Sequence, residues 1–231
     1  SLKVLDVDTG EVSNSEQTDL MFGSGMVVVD DPSGDGALVV MALDVPGPGA
    51  SSEGFHAMSV QSDGTVESAW TDRPESEDFV GGPPNETVDF FQVVAASERA
   101  VLFSANVRPS FVGSVDLSAE SVDWVREVQL SSPPRQAAVA SDGAWVFAGD
   151  GEQSRAEGYL AGVASDGGSG WTGYDGIVGR NERVVSGEEG RVYVAGGSPP
   201  RLISATGEGA DVWSCSLPSE WSQPEVLAVG P

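Results

Sequence analysis

Two short acidic stretches hold the residues most able to do chemistry. "DVDTGE" places Asp6, Asp8 and Glu11 around Gly10, and "DDPSGDG" gathers Asp30, Asp31 and Asp35. Carboxylate oxygens this close together suit calcium, a hard cation that takes oxygen ligands. Asp6, Asp8, Asp31 and Asp35 are therefore the candidate ligands of a calcium ion. The first stretch is not an EF-hand loop, because no bidentate Glu stands at the loop's last position. Asp and Gly also favour tight turns, so two ion-free turns account for the same residues. No other cofactor is expected.

Nucleophilic and zinc chemistry find little support. Cys215 is the only cysteine and His56 the only histidine. An intrachain disulfide and a multi-cysteine metal site are thus excluded, and zinc hydrolases and deaminases are disfavoured. Cys215 follows Trp213 in an expected strand, and a buried, inert thiol is the expectation for it. Nothing around either residue resembles a Cys–His nucleophile pair. Two carboxylates suffice for a glycosidase, but with 36 acidic residues any chosen pair is uninformative. No catalytic residue is assigned.

The charge balance narrows the partners. Asp and Glu number 36 against 11 Lys and Arg, for a net charge of -25. Such a surface repels phosphate backbones and anionic membranes, so nucleic acid is not expected as a partner. No apolar run approaches the roughly 20 residues of a membrane helix, so no membrane insertion is expected. The composition fits two sources equally: a halophile's cytoplasm, or secretion from a GC-rich actinobacterium. No secretory leader is visible at Ser1, which is not an initiator Met, so export stays open.

The elements that carry these residues repeat along the chain. "GRVYVAGG" (190–197) matches "GAWVFAGD" (143–150), "RAVLFSAN" (99–106) and "GALVVMAL" (36–43). Each is a short run rich in Val and aromatics that follows an acidic turn, as buried strands do. A second half-unit runs from an alternating strand through a small-residue turn to a Trp. Its copies are 201–213, 159–171, 111–124 and 56–70, and 2–12 is a fifth without Trp. A third element precedes each first run, at 26–31, 90–97, 136–141 and 182–187. Trp70, Trp124, Trp171 and Trp213 are spaced by 54, 47 and 42 residues. Four antiparallel strands in such a period predict an all-β propeller blade, and 3.6-residue periodicity is absent. The expected units are 1–20 (partial), 21–75, 85–130, 134–176, 180–218 and 219–231 (partial), forming one propeller domain or a propeller segment. The partial units at the two ends either complete one blade together or belong to a larger ring.

The strand–turn–Trp half-unit resembles the PQQ-like repeat family of β-propellers. "LKVLDVDTGEV" carries it best, with Leu5 and Asp6 before the turn and Thr9-Gly10 closing it. The resemblance implies that Trp70, Trp124, Trp171 and Trp213 dock between neighbouring blades as packing residues. It does not imply quinone chemistry, because the adjacent cysteine pair and the calcium triad of the family's dehydrogenases are missing here. A sialidase-type Asp-box is matched only at Asp166, Gly168 and Trp171, with Ala164 in place of its Ser.

A rigid disc with loops on two faces favours a non-enzymatic scaffold that binds a protein or polysaccharide partner, secreted or in the cell envelope. The alternative is a propeller enzyme with a central-channel site, sialidase-like or quinone-dependent. Recognition would fall on the long acidic loop 71–89, with Glu77, Asp78 and Phe79, and on Trp221, which lies outside the repeat frame. "NET" at 85–87 fits a glycosylation acceptor.

Overall fold

The computed structural model describes residues 2–5, 12–16, 22–32, 34, 36–43, 54–72, 91–105, 110–128, 134, 136–150, 158–173, 184–187, 190–196, 199–209 and 213–221. Among them are eighteen β-strands and no α-helix. A hairpin of β1 (Leu2–Leu5) and β2 (Val12–Glu16) comes first. Four meanders follow. The first joins β3 (Phe22–Asp30), β4 (Gly36–Leu43), β5 (Gly54–Gln61) and β6 (Val66–Asp72). The second joins β7 (Phe91–Ala96), β8 (Ala100–Ala105), β9 (Ser110–Asp116) and β10 (Ser121–Val128). The third joins β11 (Gln136–Val139), β12 (Trp145–Asp150), β13 (Gly158–Val163) and β14 (Gly170–Gly173). The fourth joins β15 (Val184–Ser186), β16 (Arg191–Gly196), β17 (Arg201–Thr206) and β18 (Trp213–Ser216).

Within each meander every neighbouring pair is antiparallel. The first strands β3, β7, β11 and β15 adjoin one another in succession, which makes them the inner strands. One parallel bridge, Ser24 to Gln92, even links β3 to β7 and merges the first two meanders into one eight-stranded sheet. These are four blades of a β-propeller, with a half-blade hairpin ahead of them. No helix among the described residues is long and apolar enough to cross a membrane.

The two-residue period of the second strands builds the core. On β4, Leu38, Val40 and Ala42 face Val101, Phe103 and Ala105 of β8. On the other side of β8, Leu102 packs with Trp145 and Phe147 of β12. The opposite side of β12, Val146 and Ala148, packs with Val192 and Val194 of β16. β8 and β12 are thus apolar on both faces, as strands covered on both sides must be. The tilted ring pair Phe55–Phe103, with centroids 4.7 Å apart, closes the first of these layers.

Cys215 corrects the sequence reading. The thiol is exposed rather than buried, and all four residues of β18 are exposed. β18 is the outer strand of the last described blade, and no described element covers its far face. Burial there depended on a neighbour, not on the residue's own preference.

Candidate functional site

In the first three blades the fourth strand carries its Trp on the face turned toward the next blade. Opposite each indole on the third strand stands a small residue: Ala57 for Trp70, Ser114 for Trp124, Gly162 for Trp171 and Ser204 for Trp213. A small neighbour lets the indole lie along the sheet and reach forward. Trp124 Nε1 donates to the Ser165 carbonyl at 2.9 Å, in the β13–β14 turn of the next blade. Trp171 Nε1 donates to the Gly207 carbonyl at 2.7 Å, in the β17–β18 turn. Each ring rests on a glycine of that turn. A Cβ on Gly167 would stand 2.7 Å from the Trp124 ring, and one on Gly209 would stand 2.4 Å from the Trp171 ring. Both glycines are left-handed, at φ 71° and 69°. Arg126 adds a second bond at the first of these contacts, from Nη1 to the Gly167 carbonyl at 2.8 Å.

The junction between the first two blades is built differently. The turn position that is Gly64, Gly167 and Gly209 elsewhere is Glu120 in the second blade, at φ 57°. It is the one non-glycine at positive φ among the described residues. A side chain there denies Trp70 the bare turn on which Trp124 and Trp171 rest. Trp70 packs instead with Leu117 and is only 8% exposed. Its indole N–H has no acceptor among the described residues. The blades are held here by Asp72, whose Oδ2 accepts the Val122 N–H at 2.8 Å.

A cleft of about 530 Å³ opens at this junction. Asp31 and Gly34 of the β3–β4 turn form one wall, Ser59, Gln61, Glu67 and Trp70 the floor and flank, and Ser118 and Glu120 the far wall. Ser59, itself buried, donates to Asp31 Oδ2 at 2.9 Å and accepts from Gln61 Nε2 at 3.0 Å. Among the described residues, no Lys, Arg or His lines the cleft. It therefore presents three carboxylates, an amide and hydroxyls to whatever enters, with Trp70 in its lining.

Asp31 is thus the one candidate calcium ligand whose surroundings are described, and it serves the cleft wall. Asp6, Asp8 and Asp35 lie outside the described residues, as do Glu77, Asp78 and Phe79. Among the described residues, no group of three or more His, Cys, Asp or Glu side chains is disposed to hold a metal ion. Four other described turns use an Asp carboxylate on the backbone. Asp63 accepts from Thr65 N–H, Asp116 from Ser118 and Ala119, Asp142 from Ala144, and Asp166 from Gly168. The Asp-box-like spacing at Asp166, Gly168 and Trp171 is one such turn plus a blade contact. His56 is buried on β5 with Nδ1 3.0 Å from Thr71 Oγ1, in a different blade from Cys215. Trp221 is 51% exposed, just past the fourth blade, and its N–H donates to the Pro218 carbonyl at 3.0 Å. Trp213 is 40% exposed and meets Tyr193 edge-on, with centroids 6.3 Å apart.

Sequence reasoning missed Glu67, Gln61, Ser59 and Glu120. One signal was there: aligned turns read "QSDG", "LSAE", "ASDG" and "TGEG", and only the second lacks its final glycine.

Fold and site define a β-propeller with one non-equivalent blade junction. No protein-family model matches the sequence, and no curated protein matches it significantly. Among solved structures, a protein of unknown function from Dyadobacter fermentans DSM 18053 is similar, with a TM-score of 0.52 at 9% identity over 84% of this chain and 69% of that one. Hydrazine synthase from Kuenenia stuttgartiensis has a TM-score of 0.47 at 10% identity, over 89% of this chain and 68% of that one. BamB from Moraxella catarrhalis has a TM-score of 0.39 at 13% identity, over 84% and 61%. At these identities the likeness concerns the fold alone.

Proposed function

We propose that this chain is a non-enzymatic scaffold, a degenerate propeller of the PQQ-like repeat kind, which binds a protein or polysaccharide partner outside the cytoplasm or in the cell envelope. The observation that carries the binding role is the cleft at the first junction. The second and third junctions lock Trp to turn, and the first stays open around a nine-tenths buried indole with no acceptor among the described residues. A buried donor without a partner is costly, and a ligand that supplies the acceptor removes that cost. This reading adds the turns at one end of the blades to the long acidic loop of the sequence reading, whose Glu77, Asp78 and Phe79 lie outside the described residues. The repeat pattern of the sequence supports the family reading, and the acidic, Lys-poor surface supports a setting away from nucleic acid.

The test is a spectrum of the indole N–H groups of ¹⁵N-Trp-labelled protein, titrated with neutral oligosaccharides and short basic peptides. The Trp70 signal, identified by its loss in Trp70→Phe, should move while those of Trp124 and Trp171 stay. The ligand should be recovered chemically unchanged. Turnover of a ligand, or a Trp70 signal indifferent to the whole panel, would overturn the reading.

A further inference from the structure

We infer that the cleft between the first and second blades is a site for a neutral saccharide. The inference rests on the binding role proposed above and names the class of ligand. It follows from which hydrogen-bonding capacities the walls leave open. The Trp70 indole can only donate, and it finds no acceptor among the described residues. Glu67 and Glu120 as carboxylates can only accept, while Gln61, Ser68 and Ser118 do both. A ligand that satisfies this set must both donate and accept, at several points, within one small volume. Sugar hydroxyls do that. An ammonium or guanidinium group only donates, which serves the carboxylates and leaves the indole unpaired. An anion would meet three carboxylates, no cation among the described lining residues and a chain of net charge -25.

The remaining lining is apolar where a sugar is apolar. Leu38, Ala69, Trp70 and Leu117 border the same cleft; Leu38, Trp70 and Leu117 are buried, so the apolar edge open to a sugar's C–H groups is small. A volume of about 530 Å³ lies in the range of small-ligand sites and exceeds what one ordered water needs. The site owes its existence to Glu120. A glycine there would restore the bare turn seen at the next two junctions and let the indole close on it, as Trp124 and Trp171 do.

Titration of the full chain with cellotetraose, maltotetraose and tetra-N-acetylchitotetraose tests this, read by calorimetry and by the Trp70 indole signal. At least one should bind and shift that signal. Trp70→Phe keeps an aromatic ring but removes the N–H, and should weaken binding by roughly five-fold. Glu67→Gln, on the exposed flank, leaves folding alone and should weaken it by about ten-fold if its carboxylate accepts sugar hydroxyls. Glu120→Gly should abolish binding and raise an acceptor-bonded Trp70 signal. Trp124→Phe should leave affinity unchanged. The assignment is overturned if none of the three sugars binds up to about 10 mM, or if Glu67→Gln and Trp70→Phe both bind as tightly as the unaltered chain. A trilysine peptide run in parallel separates the two levels of inference. If it moves Trp70 while the sugars do not, the binding role stands and the saccharide falls; if nothing moves Trp70, both fall.

Discussion

Gly209 and Glu120 occupy the same turn position and meet opposite demands. Gly209 has φ 69° and an indole where its Cβ would be, so Gly209→Ala adds both a left-handed alanine and a clash. The backbone part alone costs about 1–2 kcal/mol, and overpacking adds to it. Glu120→Gly removes the left-handed penalty from a position already at φ 57° and should stabilise by up to about 1 kcal/mol. Denaturant midpoints of the two variants should therefore move in opposite directions. A second residue-scale expectation concerns Asp63, whose carboxyl is held below the usual aspartate range by the Thr65 backbone N–H and hydroxyl. A depressed folded-state pKa means that its stabilising effect is complete above the ordinary value. That effect is lost as pH falls through the folded value. The carboxyl carbon shift of Asp63, followed by NMR, should titrate at lower pH than in the unfolded chain. A midpoint at or above the unfolded one would remove the turn's share of acid stability.

Blades are the elements, and their contacts set how they come apart. Trp124 and Trp171 bind the next blade through one indole–carbonyl bond each. Replacing either by Phe loses that bond and some packing, at about 1–2 kcal/mol. The Trp124 and Trp171 indole protons should also exchange with solvent more slowly than that of Trp213, which is 40% exposed. Equal exchange at all three would mean that the indole bonds do not hold the blades together. Much of this level was legible in the sequence. The strands fall close to the repeated runs because Val and aromatics at a two-residue period state their own preference. The boundaries moved where neighbours intervened. β3 starts at Phe22 rather than Met26, with a bulge between them, where it bridges β7 at Ser24.

At the scale of the whole molecule the net charge of -25 dominates. Repulsion among like charges disfavours the compact state, and screening relieves it as the Debye length shrinks from about 10 Å at 0.1 M salt to about 3 Å at 1 M. Melting temperature should therefore rise between low and molar KCl. A flat response would mean that the acidic residues act only as local turn formers, as Asp116 and Asp166 do.

Local chemistry alone determined the all-β class, the four-strand period and the Trp placed once per blade. Each is a property of short runs, written in side-chain type and alternation. The fate of single residues was decided only by what the fold set beside them. Cys215 is exposed because nothing described covers β18. Asp31 serves a cleft wall through Ser59, a partner 28 residues away. Trp70 differs from Trp124 and Trp171 because its neighbour across the junction is Glu120 and not glycine. Such contacts join residues 28 to 50 positions apart, and no local pattern records which side chain will stand opposite which.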